Sequence, residues 1–419
     1  MASREQGDCR LREINDRSIP LHGERKIIAP TRISGPPEGS PSIHLDALRG
    51  FAAFGVLLNH WRDAFFADYG TLSHPHLLTA AAYLFCGLGH QWVLVFFVLS
   101  GYLVGGSVVR SVQADRWSWR SYLLARFTRL YMVLIPALLL GGMLDWTGMH
   151  LAGSEALYQG NSGMHSLTVP VQTTLTLSAF AGNLLFLQTI HFSWPGHFAT
   201  PTFGSNTPLW SLCNEFWYYI AFPPLVFLFA KSRSWRMRVV CGILLMVWGW
   251  FVGKAIVLLG IPWLMGVAIV YLPSLRVTRP WMRTATILTA FSLFGGGLVL
   301  SRQLATIYAQ LTLSLAVAIL LWVTLSFSTG SLPSLYARGA NRAARSSYTL
   351  YLVHMPMLVF LKALCRLPRE TPDLHLCLIG AGLLFGILLY AQAVYLIFER
   401  NTDSVRKWLK RYGTGTSHA

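Results

Sequence analysis

Acidic residues are scarce: 17 Asp and Glu stand against 34 Lys and Arg, and charged residues of both signs make up only 12% of the chain. Soluble domains carry about 25% charged residues, so a fully water-facing surface is excluded. Cysteine is sparse and scattered, at Cys9, Cys86, Cys213, Cys241, Cys365 and Cys377. With no CxxC pair and no Cys/His cluster, neither a zinc site nor a disulfide framework is indicated, and no metal is expected. The first 42 residues contain no apolar core of the length a secretory signal needs. They are polar and rich in Arg, Pro and Gly, and read as a disordered tail. Between His150 and Pro208 there is no Lys or Arg at all.

Apolar residues are abundant instead, at 53%. A bilayer core of about 30 Å takes roughly 20 apolar residues per helix. Ten such segments run near 43–62, 84–108, 130–149, 209–230, 237–253, 255–273, 283–301, 305–328, 346–365 and 374–398. Only Lys254 and a glycine separate the fifth from the sixth. The stretch 173–190 is apolar too, but its serines, threonines and Asn183 mark it as a partly inserted segment. The expected fold class is therefore all-α, a polytopic membrane bundle of about ten transmembrane helices. A basic cytoplasmic tail (1–42) precedes the membrane domain (43–400), and a short basic cytoplasmic tail (401–419) follows it.

The net charge of +17 raises the question of nucleic acid. Its placement answers it. With the N-terminus cytoplasmic and the spans alternating, 27 of the 34 Lys and Arg fall on the cytoplasmic side. That bias is the positive-inside pattern, with both termini inside. The basic loops face anionic lipid, and no nucleic-acid partner is needed. The cation-free outer loop is long for a passive connection. Its hydroxyl, amide and aromatic groups suit a neutral polyol or sugar; an ordered lid without a ligand is the plainer alternative.

Within the first span lie two ionisable residues, Arg49 and His60. Eleven residues are close to three helical turns, so both side chains share a face about 16 Å apart along the axis. Ionisable groups inside a bilayer are costly, and such a pair marks a functional site. A desolvated neutral imidazole serves as a general base toward an alcohol or accepts an acyl group itself. Arg49 is too far away to touch His60, but it is placed to hold an anionic part of a donor. Asp46, at i−3, is expected to pair with Arg49.

Four further segments carry chemistry. FFVLSGY at 96–102 brings Ser100 and Tyr102 to a possible cavity wall among small residues suited to close helix packing. RFTR at 126–129 sets Arg126 and Arg129 on one face; with Arg110, Arg116 and Arg120 they form a basic patch fit for a phosphorylated donor. WSLCNE at 210–215 aligns Ser211 and Glu215, with Tyr218 continuing their face, while Trp217 and Tyr219 read as an interfacial aromatic belt. Glu215 is suited to binding an acceptor hydroxyl or orienting His60. SYTLYLVHMP at 347–356 holds a second intramembrane histidine, His354, before the kinking Pro356.

Taken together these segments resemble the acyltransferase-3 family of integral membrane O-acyltransferases. The Arg49-(ten residues)-His60 spacing within LDALRG, the FFxLSGY and WSLxxE segments, and the SYxLYLxHxP segment carry the resemblance over about residues 43–400. The resemblance implies an enzyme using cytoplasmic acyl-CoA, acetyl-CoA first among the candidates, as donor substrate. Its acceptors would be hydroxyls of a carbohydrate or glycoconjugate near the outer face of a bacterial inner membrane. It implies catalytic roles for Arg49, His60 and Glu215, and donor binding by Arg126 and Arg129, to which Ser100 and Tyr102 are added as cavity residues. Ser211, Tyr218 and His354 are assigned to substrate binding. Met132 stands where the family often has Pro, which affects local helix geometry but not charge. Members often carry an extracytoplasmic hydrolase-like domain; here such a partner would be separate or absent. The alternative from another class is a transporter or flippase of a lipid-linked or small polar solute, which ten helices and buried charges fit equally well.

Overall fold

The computed structural model describes residues 40–190, 200–230, 232–328 and 333–413. The expected N-terminal tail lies outside the described residues up to position 39, and so does the C-terminal tail from 414. Among the described residues all the regular structure is helical, with two isolated bridges and no strand. Helix α1 (Ser40–Phe65) leads into a short α2 (Leu77–Cys86). Next, α3 (Gly89–Ser100) passes through a π-helical turn (Gly101–Gly105) into α4 (Gly106–Gln113), forming one continuous rod. After α5 (Trp119–Met149) come three short helices, α6 (Glu155–Tyr158), α7 (Val171–Thr174) and α8 (Leu177–Leu184). The long helices resume with α9 (Leu209–Phe229), α10 (Trp235–Ala268), α11 (Pro280–Leu304), α12 (Ile307–Phe327), α13 (Ser334–Cys365) and α14 (Leu374–Ile397), and α15 (Thr402–Gly413) is the last described helix.

The sequence marks many of these starts. Ser118, Thr176, Ser234, Thr306 and Asp373 each accept a hydrogen bond from a first-turn N–H, so their helices begin where an unpaired donor finds a side-chain oxygen. Pro280 occupies the first turn of α11, where its missing N–H is harmless.

Eight helical stretches among the described residues are long and apolar enough to cross a membrane. Helix α1 is not one of the eight, although it is 26 residues long; it carries Asp46, Arg49, Arg62 and Asp63. Helix α10 breaks at Gly253, whose φ of 81° leaves the helical region. A Cβ at Gly249 would lie 4.0 Å from Val257 Cγ2. Eight residues of straight helix would hold these positions about 12 Å apart, so the two arms fold back on each other. Counting α1 and both arms of α10 recovers the ten expected segments of an all-α polytopic bundle.

Several boundaries move. The span expected to begin at 84 begins at Gly89, because α2 is a separate helix. Helix α5 starts at Trp119, well before the expected 130, and α13 starts at Ser334, before the expected 346. Arg126, Arg129 and Arg338 to Arg345 are thus helical rather than loop residues. The apolar stretch 173–190 forms only the four-residue α7 and eight-residue α8, too short to cross a bilayer.

Helix α1 forms the axis of the bundle, packed along α13 on one side and α3 on the other. Its middle is sealed: Ala52, Ala53, Val56 and Leu57 are buried. Helix α3 crosses α10 at very close range. A Cβ at Gly101 would fall 1.8 Å from the Trp263 carbonyl oxygen, and one at Gly266 would fall 1.9 Å from that of Val98. Only glycine permits this approach.

Candidate active site

The shared face of α1 opens on two unlike cavities. Toward its C-terminal end, His60 lines a cavity of 910 Å³ together with Asn59, Arg62, Asp63, His90 and Trp210. Toward its N-terminal end, Arg49 lines a cavity of 330 Å³ with Ser100, Arg126, Arg129, Ser211 and Glu215. Val93 and Tyr351 belong to both linings and form the partition between them. The Tyr351 hydroxyl is anchored there, 2.7 Å from Ser211 Oγ and donating to Pro208 O at 3.1 Å.

The Arg49 cavity collects three guanidinium groups around one carboxylate. Arg49 pairs with Asp46 at 3.3 Å, as the i−3 spacing predicts. Arg126 lies over the rings of Tyr122 and Tyr219, each 5.8 Å away, and Arg129 over Tyr348 at 5.9 Å. Aromatic faces hold a cation in place without neutralising it, so the positive field remains available to an anion. The Nε of Arg126 is buried and has no partner. Glu215 Oε1 accepts from Ser100 Oγ at 2.7 Å and from the Tyr219 hydroxyl. Trp263 Nε1 donates in turn to Ser100 Oγ at 3.1 Å. The cavity volume is at the low end for a small-molecule pocket. It suits an extended arm rather than a bulky nucleotide.

The His60 cavity is walled partly by the long loop, through His165, Ser166, Thr207 and Pro208. That loop is pinned at two points. Asp63 accepts from the backbone N–H of His165 and of Ser166, at 3.1 and 2.8 Å, and from the Ser166 hydroxyl at 2.6 Å. Farther along, Asp145 accepts from Ser205 through its N–H at 2.7 Å and its hydroxyl at 2.6 Å. The loop is cation-free, as read from the sequence, but the cavity is not. Arg62, Asp63, Asp68 and Arg302 reach it from other segments.

Asp68, in the connection after α1, bonds Arg369 at 2.8 Å and His165 at 3.1 Å. Burial alone would raise its carboxyl, but the hydrogen bonds and charges of Arg369 and His165 outweigh that and hold it below its ordinary value. A carboxyl depressed by folding stabilises the fold above its unfolded value of about 4 and loses that stabilisation as pH falls through the folded value. Hydrogen exchange around residues 163–166 is therefore expected to accelerate below about pH 4. Asp68→Asn is expected to flatten that acid response, and an unchanged profile in the variant would show that the carboxylate does not latch the loop.

The structure sorts the sequence-predicted residues. Arg49, Ser100, Arg126, Arg129, Ser211 and Glu215 line one cavity, and His60 the other. Glu215 is not beside His60; its partners are Ser100 and Tyr219, because its face of α9 meets α3 below the partition. Tyr102 is buried but lines neither cavity; Phe96, Ser100, Leu103 and Ser107 do, a helical repeat that position 102 falls outside. Tyr218 donates to Ile256 O at 2.8 Å, so it ties α9 to the second arm of α10, and it lines neither of the two cavities. His354 is 0% exposed and lines neither cavity. Nor is Tyr219 part of an interfacial belt: it is buried and bonded to Glu215, while Trp217 donates to Phe186 O. Arg110, Arg116 and Arg120 stay outside the Arg49 cavity.

Sequence reasoning missed Tyr219, Tyr348 and Tyr351 as lining residues. The i,i+4 spacing of Glu215 and Tyr219 was the available signal for the first. Asp63 as a loop clamp had none, since its partners lie about a hundred residues away.

Fold and site together define an integral membrane protein built on two unlike cavities that meet at a thin partition. The chain belongs to the acyltransferase-3 family: the family model, an acyltransferase domain, matches residues 43–391. It is similar to the acyltransferase MdmB of Streptomyces mycarofaciens, at 33% identity over 184 residues. That match covers 43% of this chain and 38% of MdmB, so the chain aligns with well under two thirds of that relative. No solved structure gives a significant match. Residues 43–391 are thus an acyltransferase domain built on membrane-length helices. The transporter reading rested on helix number and buried charge alone, whereas the family match is to an acyltransferase domain.

Proposed function

We propose that this enzyme moves an acyl group, acetyl first, from cytoplasmic acyl-CoA to a hydroxyl of a carbohydrate or glycoconjugate at the outer face of a bacterial inner membrane. One observation supports the reading: a cationic cavity and a histidine cavity lie along α1 and share Val93 and Tyr351 in their walls. The positive-inside bias turns the cationic end toward the cytoplasm. Both termini are then cytoplasmic.

In this reading the phosphates of CoA engage Arg126 and Arg129 at the mouth, and the thioester arm runs past Arg49 toward the partition. The acceptor enters the larger cavity. His60 takes the proton from its hydroxyl, and the oxygen attacks the thioester carbonyl carbon. The C–S bond breaks, the CoA thiolate leaves, and the imidazolium returns the proton to sulfur. A two-step route has the same balance: the imidazole accepts the acyl group first and passes it to the hydroxyl second. Trapping acylated His60 without acceptor selects the second route. Glu215 holds Ser100 and Tyr219 in the wall and offsets part of the arginine charge. Ser211 anchors Tyr351 at the crossing point.

The arginines provide the first test. Hydrogen bonds to charged groups contribute about 1.5–3 kcal/mol each, so Arg126→Ala and Arg129→Ala are each expected to raise KM for acyl-CoA about tenfold to a hundredfold. KM for the acceptor should not change. If both variants keep the wild-type KM for acyl-CoA, the donor does not bind there. Mass spectrometry of envelope glycans from cells with and without the chain identifies the acceptor.

A further inference from the structure

His60 and His354 lie side by side, from α1 and α13, the two helices packed along each other at the centre of the bundle. Their ring centroids are 5.3 Å apart and the planes incline by 35°. His354 is fully buried. Its Nδ1 sits 3.0 Å from Leu350 O and 2.9 Å from Tyr351 O. Carbonyl oxygens only accept, so Nδ1 carries the hydrogen and Nε2 is left with a lone pair. That Nε2 is buried and has no partner, and the buried Nδ1 of His60 has none either. Two unsatisfied nitrogens on adjacent rings in a protein interior is an expensive arrangement unless they satisfy each other. The spacing fits: an imidazole nitrogen stands about 1.1 Å from its ring centre, so an N–H···N bond of about 3.0 Å needs centroids about 5.2 Å apart. As the rings stand neither nitrogen has a partner, so the bond requires the two nitrogens to turn toward each other.

We propose that His354 is a positioning residue for His60: its Nε2 accepts the Nδ1–H of His60 and so leaves the His60 Nε2 lone pair free toward the substrate cavity. The backbone of α13 fixes the tautomer of His354, and His354 fixes that of His60. A chain of two imidazoles thereby does what a carboxylate does beside many catalytic histidines, without placing a negative charge in the membrane interior. The proposal rests on His60 acting as base or acyl carrier.

The test is the tautomer itself, read by ¹⁵N NMR of histidine-labelled protein in detergent or nanodiscs, with His60 assigned from its loss in His60→Ala. In the wild type, His60 is expected as the Nδ1–H form. His354→Phe, which keeps a ring but removes the acceptor, is expected to release His60 into a mixture of tautomers. It should lower kcat about tenfold to a hundredfold, below the full effect of about 10²–10⁴-fold for a general base, with KM for both substrates unchanged. His354→Gln restores a side-chain acceptor and is expected to recover both the tautomer and most of kcat. A wild-type His60 found as Nε2–H overturns the proposal without any variant. So does a His354→Phe enzyme with His60 tautomer and kcat intact, or a Gln variant no better than Phe. Full activity in His60→Ala would instead sink the functional reading, and the wild-type spectrum would still report on the pair.

Discussion

Replacing His60 with alanine is expected to stop acyl transfer while the bundle stays folded. A general base contributes about 10²–10⁴-fold, and loss of a covalent acyl carrier removes more. The fold should tolerate the change, since His60 borders a large cavity into which the site can open. Turnover of labelled acyl-CoA by purified protein, with size-exclusion behaviour as the folding control, measures it. Retention of more than about a tenth of wild-type kcat, where a base or carrier should be missing, would take His60 out of the chemistry.

Gly101→Ala is expected to have the opposite profile: a folding defect with activity lost as a consequence. The added methyl would stand 1.8 Å from the Trp263 carbonyl oxygen, a backbone atom that no rotamer change can move away. Overpacking costs about 1–3 kcal/mol where side chains give way, and a backbone clash belongs at or above the top of that range. Relief requires α10 to move off α3, which breaks the bond from Trp263 to Ser100 and with it the wall around Glu215. Gly295→Ala is the control, because nothing lies within 4 Å of its added Cβ. Thermal denaturation in detergent should show a marked fall in Tm for the first and almost none for the second. Equal stability of the two variants would mean that this crossing is looser than it stands here.

The same contrast explains how far the chain could be read in advance. Arg49 and His60 were legible because their relation is local: eleven residues on one helix have a fixed geometry. The Asp46–Arg49 pair was legible for the same reason. Tyr102 and Tyr218 lie outside both cavity linings because the motif names a helix, while the neighbours choose its faces. Tyr218 turns to the second arm of α10, whose path depends on a single glycine at 253. His354 was assigned to substrate binding, although a lone intramembrane histidine is more often a structural hydrogen-bonder. It faces instead another histidine brought from the far end of the chain.

Hydropathy and the short motifs made the all-α membrane bundle and its family legible, since each depends on residues close together along the chain. The division into a cationic and a histidine cavity, the Tyr351 partition, the isolation of Glu215 from His60 and the pairing of two imidazoles arose from packing. Those features depend on which helix faces meet, and that is a property of contacts between distant segments that no local pattern encodes.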